Sequence, residues 1–229
     1  MEENPIIQTG APVLRSPAQD VPVERIATAE FQALIERMVA TMRAAPGVGL
    51  AAPQVGVPWR VLVMEDREEL MSSLTPLERE ERERLPVPVR VFINPTLTPI
   101  GEDKVTFFEG CLSVAGFAGL VERFHEVEVT GLDERGLSQT WRVKGWPARI
   151  LQHEVDHLAG TLYIDRMITR SFGTLDLVEA RDQPSEARDR EAALEEGDLL
   201  VSNRRERGVD EHAHRHGQPL ALFPLLRGE

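Results

Sequence analysis

Apolar residues recur at Phe31, Leu34, Ile35, Met38, Val39 and Met42, the i, i+3, i+4, i+7, i+8, i+11 series of one helix face. The spacing predicts a helix over residues 28–45, with Thr28 as its N-cap and Pro46 and Gly47 ending it. Two short runs rich in β-branched residues, WRVLVM (59–64) and VRVFI (89–93), predict buried strands. Between them, DREELMSSLTPLEREERERLPVP is charged and broken by prolines, which predicts an exposed insertion over residues 66–88 with one short helix. FHEVEVTGLDERGLSQTWRV alternates on either side of DERG and predicts a hairpin. GWPARILQHEVDHLAG then returns to helical spacing, with Pro147 suited to a first turn and Gly160 to a C-terminal stop.

Beyond about residue 176 this patterning is lost. Charges of both signs mix with few large apolar residues, so little surface can be buried to offset the entropy of ordering the chain. The expectation is one folded unit over residues 1–175 and an acidic, mobile tail over 176–229, with at most one helix near 185–196. The histidines of HAHRHG read as solvated tail residues.

Composition narrows the function classes. The 229 residues are 41% hydrophobic and 28% charged, as in a globular protein with one good core, and the formal net charge is −12. That charge argues against nucleic acid or an anionic membrane as the main partner, since both reward clustered Lys and Arg. No apolar run approaches the roughly 20 residues that cross a bilayer. Cys111 is the single cysteine, so no intrachain disulfide can form and a reducing compartment fits. The opening MEENPIIQTG lacks the layout of a signal or transit peptide, and a cytoplasmic location is expected.

QHEVDHLAG (152–160) carries the chemistry most openly. On a helix His153 and His157 lie about 40° apart around the axis and roughly 6 Å along it, so both imidazoles can converge on one ion. Glu154, offset by about 100°, can reach a water on that ion without being a ligand. The five-residue H-E-x-x-H pattern alone is weak, because two polar residues on an ordinary helix satisfy it. A catalytic site of this kind needs three protein ligands and an open position. The extended pattern with a third histidine fails at Tyr163, although Gly160 is present, and Glu179 downstream sits in poor context. The search therefore turns upstream, where Cys111 is the candidate, a small buried core residue being its ordinary alternative.

Three motifs stand in order: GVGLAAPQ (47–54), EGCLS (109–113) and QHEVDH (152–157). In these, and in IIQTGAPVLR near the start, which is similar to the family's opening strand region, the chain resembles the peptide deformylases over about residues 5–172. RVFINP, TFFEGCLSVAGF, GWPARILQHEVDHL and YIDRMITRSF are most similar to the mitochondrial-type branch and its bacterial relatives. The expected fold is α+β, with antiparallel strands packed around a central helix that carries the H-E-x-x-H motif.

The resemblance implies that Cys111, His153 and His157 hold one divalent metal ion, Fe(II) in the family, with zinc or nickel able to take its place. It implies Glu154 as acid and base, with the Gln54 amide and the backbone N–H of Leu112 as oxyanion donors. The substrate would be an N-formylmethionyl peptide, from which formate is released. Gly49 and Leu50 would lie along that peptide, and Val48, Trp146 and Ile150 are candidates for the methionine pocket, core packing being their ordinary reading. An ion pair between Arg123 and Asp156 and a hold by Glu109 on a ligand imidazole are further expectations. Ala118 stands where many bacterial members have an arginine that holds the peptide. Some members of the family use a C-terminal helix at the ribosome, which would be a transient partner; that helix is not recognisable in this acidic tail. An H-E-x-x-H metallopeptidase and an inactive metal-binding homologue are the alternatives. Tyr163 speaks against the first, and retention of both Glu154 and Gln54 against the second.

Overall fold

The computed structural model describes residues 5–45, 47–72 and 74–176. The expected tail from residue 177 onward, with its helix near 185–196 and HAHRHG, lies outside the described residues, as does Pro46. The described chain forms α1 (Val23–Ile26), α2 (Ala29–Ala44), β1 (Gly49–Ala51), β2 (Val61–Asp66), α3 (Pro76–Glu81), β3 (Val87–Pro99), β4 (Lys104–Cys111), β5 (Val114–Phe124), β6 (Glu126–Leu132), β7 (Ser138–Lys144), α4 (Trp146–Leu158) and β8 (Gly173–Thr174). Two antiparallel sheets result, one of five strands in the order β1-β2-β3-β6-β7 and one of three in the order β4-β5-β8. The fold is α+β. No described helix is long and apolar enough to cross a membrane.

The continuous apolar run of β2 has a simple cause, because the larger sheet is covered on both faces. Val61 and Val63 face α2 and pack with Phe31, Leu34 and Met38, while Leu62 and Met64 face α4 and pack with Trp146, Ile150 and Leu151. Thr28 caps α2, its side chain accepting from the N–H of Phe31. The DERG turn joins β6 to β7 in register from Glu126↔Lys144 to Leu132↔Ser138. α4 begins with Pro147 in its first turn and is followed by Gly160 in a left-handed conformation (φ +75°).

Two expectations need correction. Residues 66–88 are not simply exposed: Asp66, Met71, Arg82 and Arg84 are buried, and α3 occupies only six residues. Arg84 grips Asp66 through two 2.8 Å hydrogen bonds, and the carbonyl of Arg82 accepts from the N–H of Trp146, docking the segment on the start of α4. The charges that read as solvated are in part consumed by one another. The opening IIQTGAPVLR forms no strand; it is irregular up to a short 3-10 helix at Pro12–Arg15, with Ile7 N–H bonded to the Gln54 carbonyl and Thr9 N–H to that of Ser113. Both bonds fall on segments of the site.

Candidate metal centre

The candidate ligands come from two elements. His153 and His157 sit one turn apart on α4, and Cys111 is the last residue of β4. All three are buried, and their donor atoms lie within 4.8 Å of one another. The Cys111 sulfur is 3.3 Å from His157 Nε2. The imidazole centroids are 5.0 Å apart with planes at 73°, so the rings converge edge to face.

Glu109, two residues before Cys111 on β4, sets the orientation of His153. Its Oε2 lies 2.9 Å from His153 Nδ1, which leaves Nε2 as that ring's donor to an ion. The same carboxylate accepts a fork from Arg123 (2.9 and 2.8 Å) and a bond from Arg149 (2.6 Å). Burial opposes its charge, but the charge and hydrogen bonds of Arg123, with help from His153 and Arg149, hold its pKa well below the usual range. The expected pair is present: Arg123 Nη1 lies 2.5 Å from Asp156, which also accepts two 2.6 Å bonds from Arg166. Burial, reinforced by the charges of His153 and Arg123, keeps His157 neutral, the form in which an imidazole ligates. Its Nδ1 is buried with no hydrogen-bond partner.

Glu154 is also buried, and its Oε2 has no partner. Burial, with the nearby negative charges of Glu109 and Asp156, pushes its pKa up to about 7. β1 shows why GVGLAAPQ has a glycine at its third position. A Cβ on Gly49 would fall 2.3 Å from Glu154 Oε1, so only the bare backbone lets that carboxylate in. Gln54 is oriented at its oxygen, which accepts from the N–H of Ala51 at 2.8 Å. Its amide nitrogen then faces Cys111 Sγ (3.6 Å) and Ser113 Oγ (3.3 Å). Leu112 follows Cys111 directly in the β4–β5 turn, and its carbonyl is held by Gln8.

The candidate pocket residues divide. Val48, Trp146 and Ile150 share one buried cluster on the α4 side of the sheet, whereas Leu50 belongs to the cluster on the α2 side. Among the described residues β1 is an edge strand, pairing with β2 along one side only. Ala118, buried on β5, pairs with Gly110 beside Cys111. Tyr163 reaches the site as a ring rather than a ligand, lying 6.4 Å from the His153 centroid at 19°. The sequence reading missed Ser113, Arg166 and above all Arg149. An arginine at i−4 from a candidate ligand, within an otherwise apolar helix start, was the available signal for the last.

The donor set suits a metal. A thiolate and two imidazoles are soft-to-borderline donors of the kind that hold Zn(II), Fe(II) or Ni(II), and Glu154 Oε2 beside them is buried without a partner among the described residues.

A profile of the family described as polypeptide deformylase matches residues 3–172. The chain is 51% identical over 171 residues to "Peptide deformylase 1A, chloroplastic" of Solanum lycopersicum, covering 75% of this chain but 62% of that protein. It thus spans less than two thirds of that plant relative. It is 47% identical over 167 residues to "Peptide deformylase, mitochondrial" of Homo sapiens, covering 73% of this chain and 69% of that one. The fold is similar to the Met-Ala-Ser-bound crystal structure of a class I type b peptide deformylase from Acinetobacter baumannii, with a TM-score of 0.65, 32% identity, and coverage of 72% of this chain and 99% of that one.

Proposed function

The chain belongs to the polypeptide deformylase family, and from that membership we propose that it hydrolyses the N-formyl group from the formylmethionine of nascent polypeptides, releasing formate. The observation that carries the proposal is the convergence of Cys111, His153 and His157 beside Glu154, whose Oε2 is buried without a hydrogen-bond partner. Cys111, His153 and His157 would hold one divalent ion, Fe(II) in our reading, with zinc or nickel as substitutes. When bound, the ion supplies Lewis acidity to the formyl carbonyl and to the attacking water.

The chain's own groups account for the rest. Glu154 takes the proton from the water and passes it to the leaving amine, a role suited to a carboxyl whose pKa sits at about 7. The Gln54 amide, fixed by Ala51, and the backbone N–H of Leu112 donate to the oxyanion as the carbonyl becomes tetrahedral. The unpaired edge of β1 at Gly49 and Leu50 receives the peptide as an added strand. Val48, Trp146 and Ile150 enclose the methionine side chain, and their shared apolar cluster supports this.

We assign the activity to residues 1–175, because every group invoked lies between positions 48 and 157 and the family match ends at 172. The acidic tail over 176–229 takes no part in turnover, and any contact with the ribosome is transient. A cytoplasmic location fits the single unpaired cysteine. The test is formate release from formyl-Met-Ala-Ser under anaerobic conditions, beside the unformylated peptide, with metal analysis of the same sample. Glu154→Ala should retain the metal and lose at least about 100-fold in rate, the lower range for a general base. A Glu154→Ala enzyme with parental turnover would remove Glu154 from the mechanism.

A further inference from the structure

Arg149 lies one helical turn before His153 and is almost wholly buried. Its Nη1 donates to Glu109 Oε1 at 2.6 Å and to the carbonyl of Val121 at 3.1 Å, while Nη2 donates to the carbonyl of Val105 at 2.7 Å. Val105 is on β4 and Val121 on β5, so one helix side chain is bonded to both strands of the hairpin that delivers Cys111. The Phe107 ring of the same hairpin lies 5.1 Å from the guanidinium carbon. The candidate ligands are divided between these two elements. The spacing of α4 from the hairpin therefore decides whether sulfur and imidazoles meet.

Charge balance alone does not explain Arg149, since Arg123 already gives Glu109 a bidentate fork. A second buried cation beside Arg123 is unfavourable in itself: burial, together with the charge of Arg123, lowers the Arg149 pKa to about 10. Arg123 already reaches from the hairpin to Asp156 of α4; what Arg149 adds is a tie in the other direction, one helix side chain bonded to the carbonyls of both strands at the level of Glu109. We propose that Arg149 is a positioning residue for the metal centre, clamping α4 to the β4–β5 hairpin and seating Glu109 on His153 so that the three donors are set before the ion arrives. The proposal rests on Cys111, His153 and His157 being the ligands.

The test uses the full chain with Arg149→Met, which keeps length and removes the fork, and Arg149→Lys, which keeps a charge for Glu109 but cannot span both carbonyls. Affinity for Zn(II) is measured by chelator competition, the visible spectrum is recorded with Co(II), and melting of the metal-free protein is followed separately. Arg149→Met should weaken metal binding by about 10- to 100-fold and shift the Co(II) bands, and Arg149→Lys should recover part of both. Affinity within about twofold of the parent and an unshifted spectrum would overturn the proposal. If the methionine variant does not fold, the lysine variant decides: weakened binding with a parental apo melting point supports the clamp, and parental binding overturns it. Cys111→Ala run in parallel separates the two failures. Metal retained by that variant would refute the ligand set, whereas metal lost there but kept by Arg149→Met would refute only the clamp.

Discussion

Among the described residues two guanidinium–carboxylate forks are buried, and they behave in opposite ways. Arg84 grips Asp66 through two bonds of 2.8 Å, and Arg123 grips Glu109 through bonds of 2.9 and 2.8 Å, with all four side chains nearly inaccessible. Yet the Asp66 pKa is raised, burial exceeding the help of Arg84, while that of Glu109 is held far down. The difference lies in the additional partners. Glu109 also receives His153 and Arg149, which add to the charge and hydrogen bonds of Arg123 against burial, whereas Asp66 has burial as its largest influence and the nearby charge of Glu68 pushing the same way. A single fork suffices to dock a segment; the carboxylate that faces the candidate ligand His153 is given more. The Asp66 fork serves the former task, holding Arg84 over the Trp146 ring at 5.1 Å where residues 67–86 meet α4.

The largest test of this contrast is Glu109→Gln. It leaves Arg123 and Arg149 buried with one anion fewer and presents an amide to His153. Breaking a buried ionic network on one side is expected to destabilise the fold by about 3–5 kcal/mol, with metal affinity falling at least about 10-fold. Urea denaturation and metal analysis read the two effects. A variant as stable as the parent would mean that the extra partners of Glu109 do not depend on its charge.

The second fork should yield far more easily. Replacing both partners, Asp66→Asn with Arg84→Met, is expected to change stability by less than about 2 kcal/mol at neutral pH, since a buried pair removed whole leaves no orphaned charge. Its sign with pH is also fixed. A carboxyl with a raised folded pKa binds its proton more tightly when folded, so the parent loses stability as pH rises from the ordinary carboxylate value near about 4 through the raised value. The double variant lacks that loss. Its stability relative to the parent should therefore climb as pH rises above about 4, as measured by denaturation at several pH values. A relative stability that falls over that range would remove the assigned difference between the two forks.

How the two forks were or were not legible follows from their chemistry. The apolar stripe of α2, the hairpin at DERG and the helix carrying QHEVDH are periodic signals, and the structure has all three. Arg123 with Asp156 could be anticipated from the family resemblance at that position, and Glu109 with His153 because a carboxylate commonly orients a metal-binding imidazole. Arg149 could not be read as a clamp, because its meaning lies in carbonyls 44 and 28 residues away. Asp66 and Arg84 stand 18 residues apart in a stretch whose composition spells solvent, and pairing across a fold does not alter composition. Gly49 was legible as a close approach, but not as an approach to Glu154. Local pattern specifies elements; the donors that secure a buried charge come from other elements and leave little trace in spacing.

The smallest effect completes the scale. Lys104 and Glu122 form a 2.9 Å pair across the same β4–β5 hairpin that carries Glu109, but on its outer side, with side chains 39% and 56% exposed. Water already solvates both charges, so the pair gains little by meeting and is screened by salt. Glu122→Ala, which leaves Lys104 over the Phe124 ring, should cost about 0.2–1 kcal/mol at low ionic strength and close to nothing near about 1 M salt. Metal content should not move. A salt-independent loss above about 2 kcal/mol would mean that the hairpin is held by its outer charges as well as its buried ones. The stability ascribed to Glu109 would then have to be divided between its two faces.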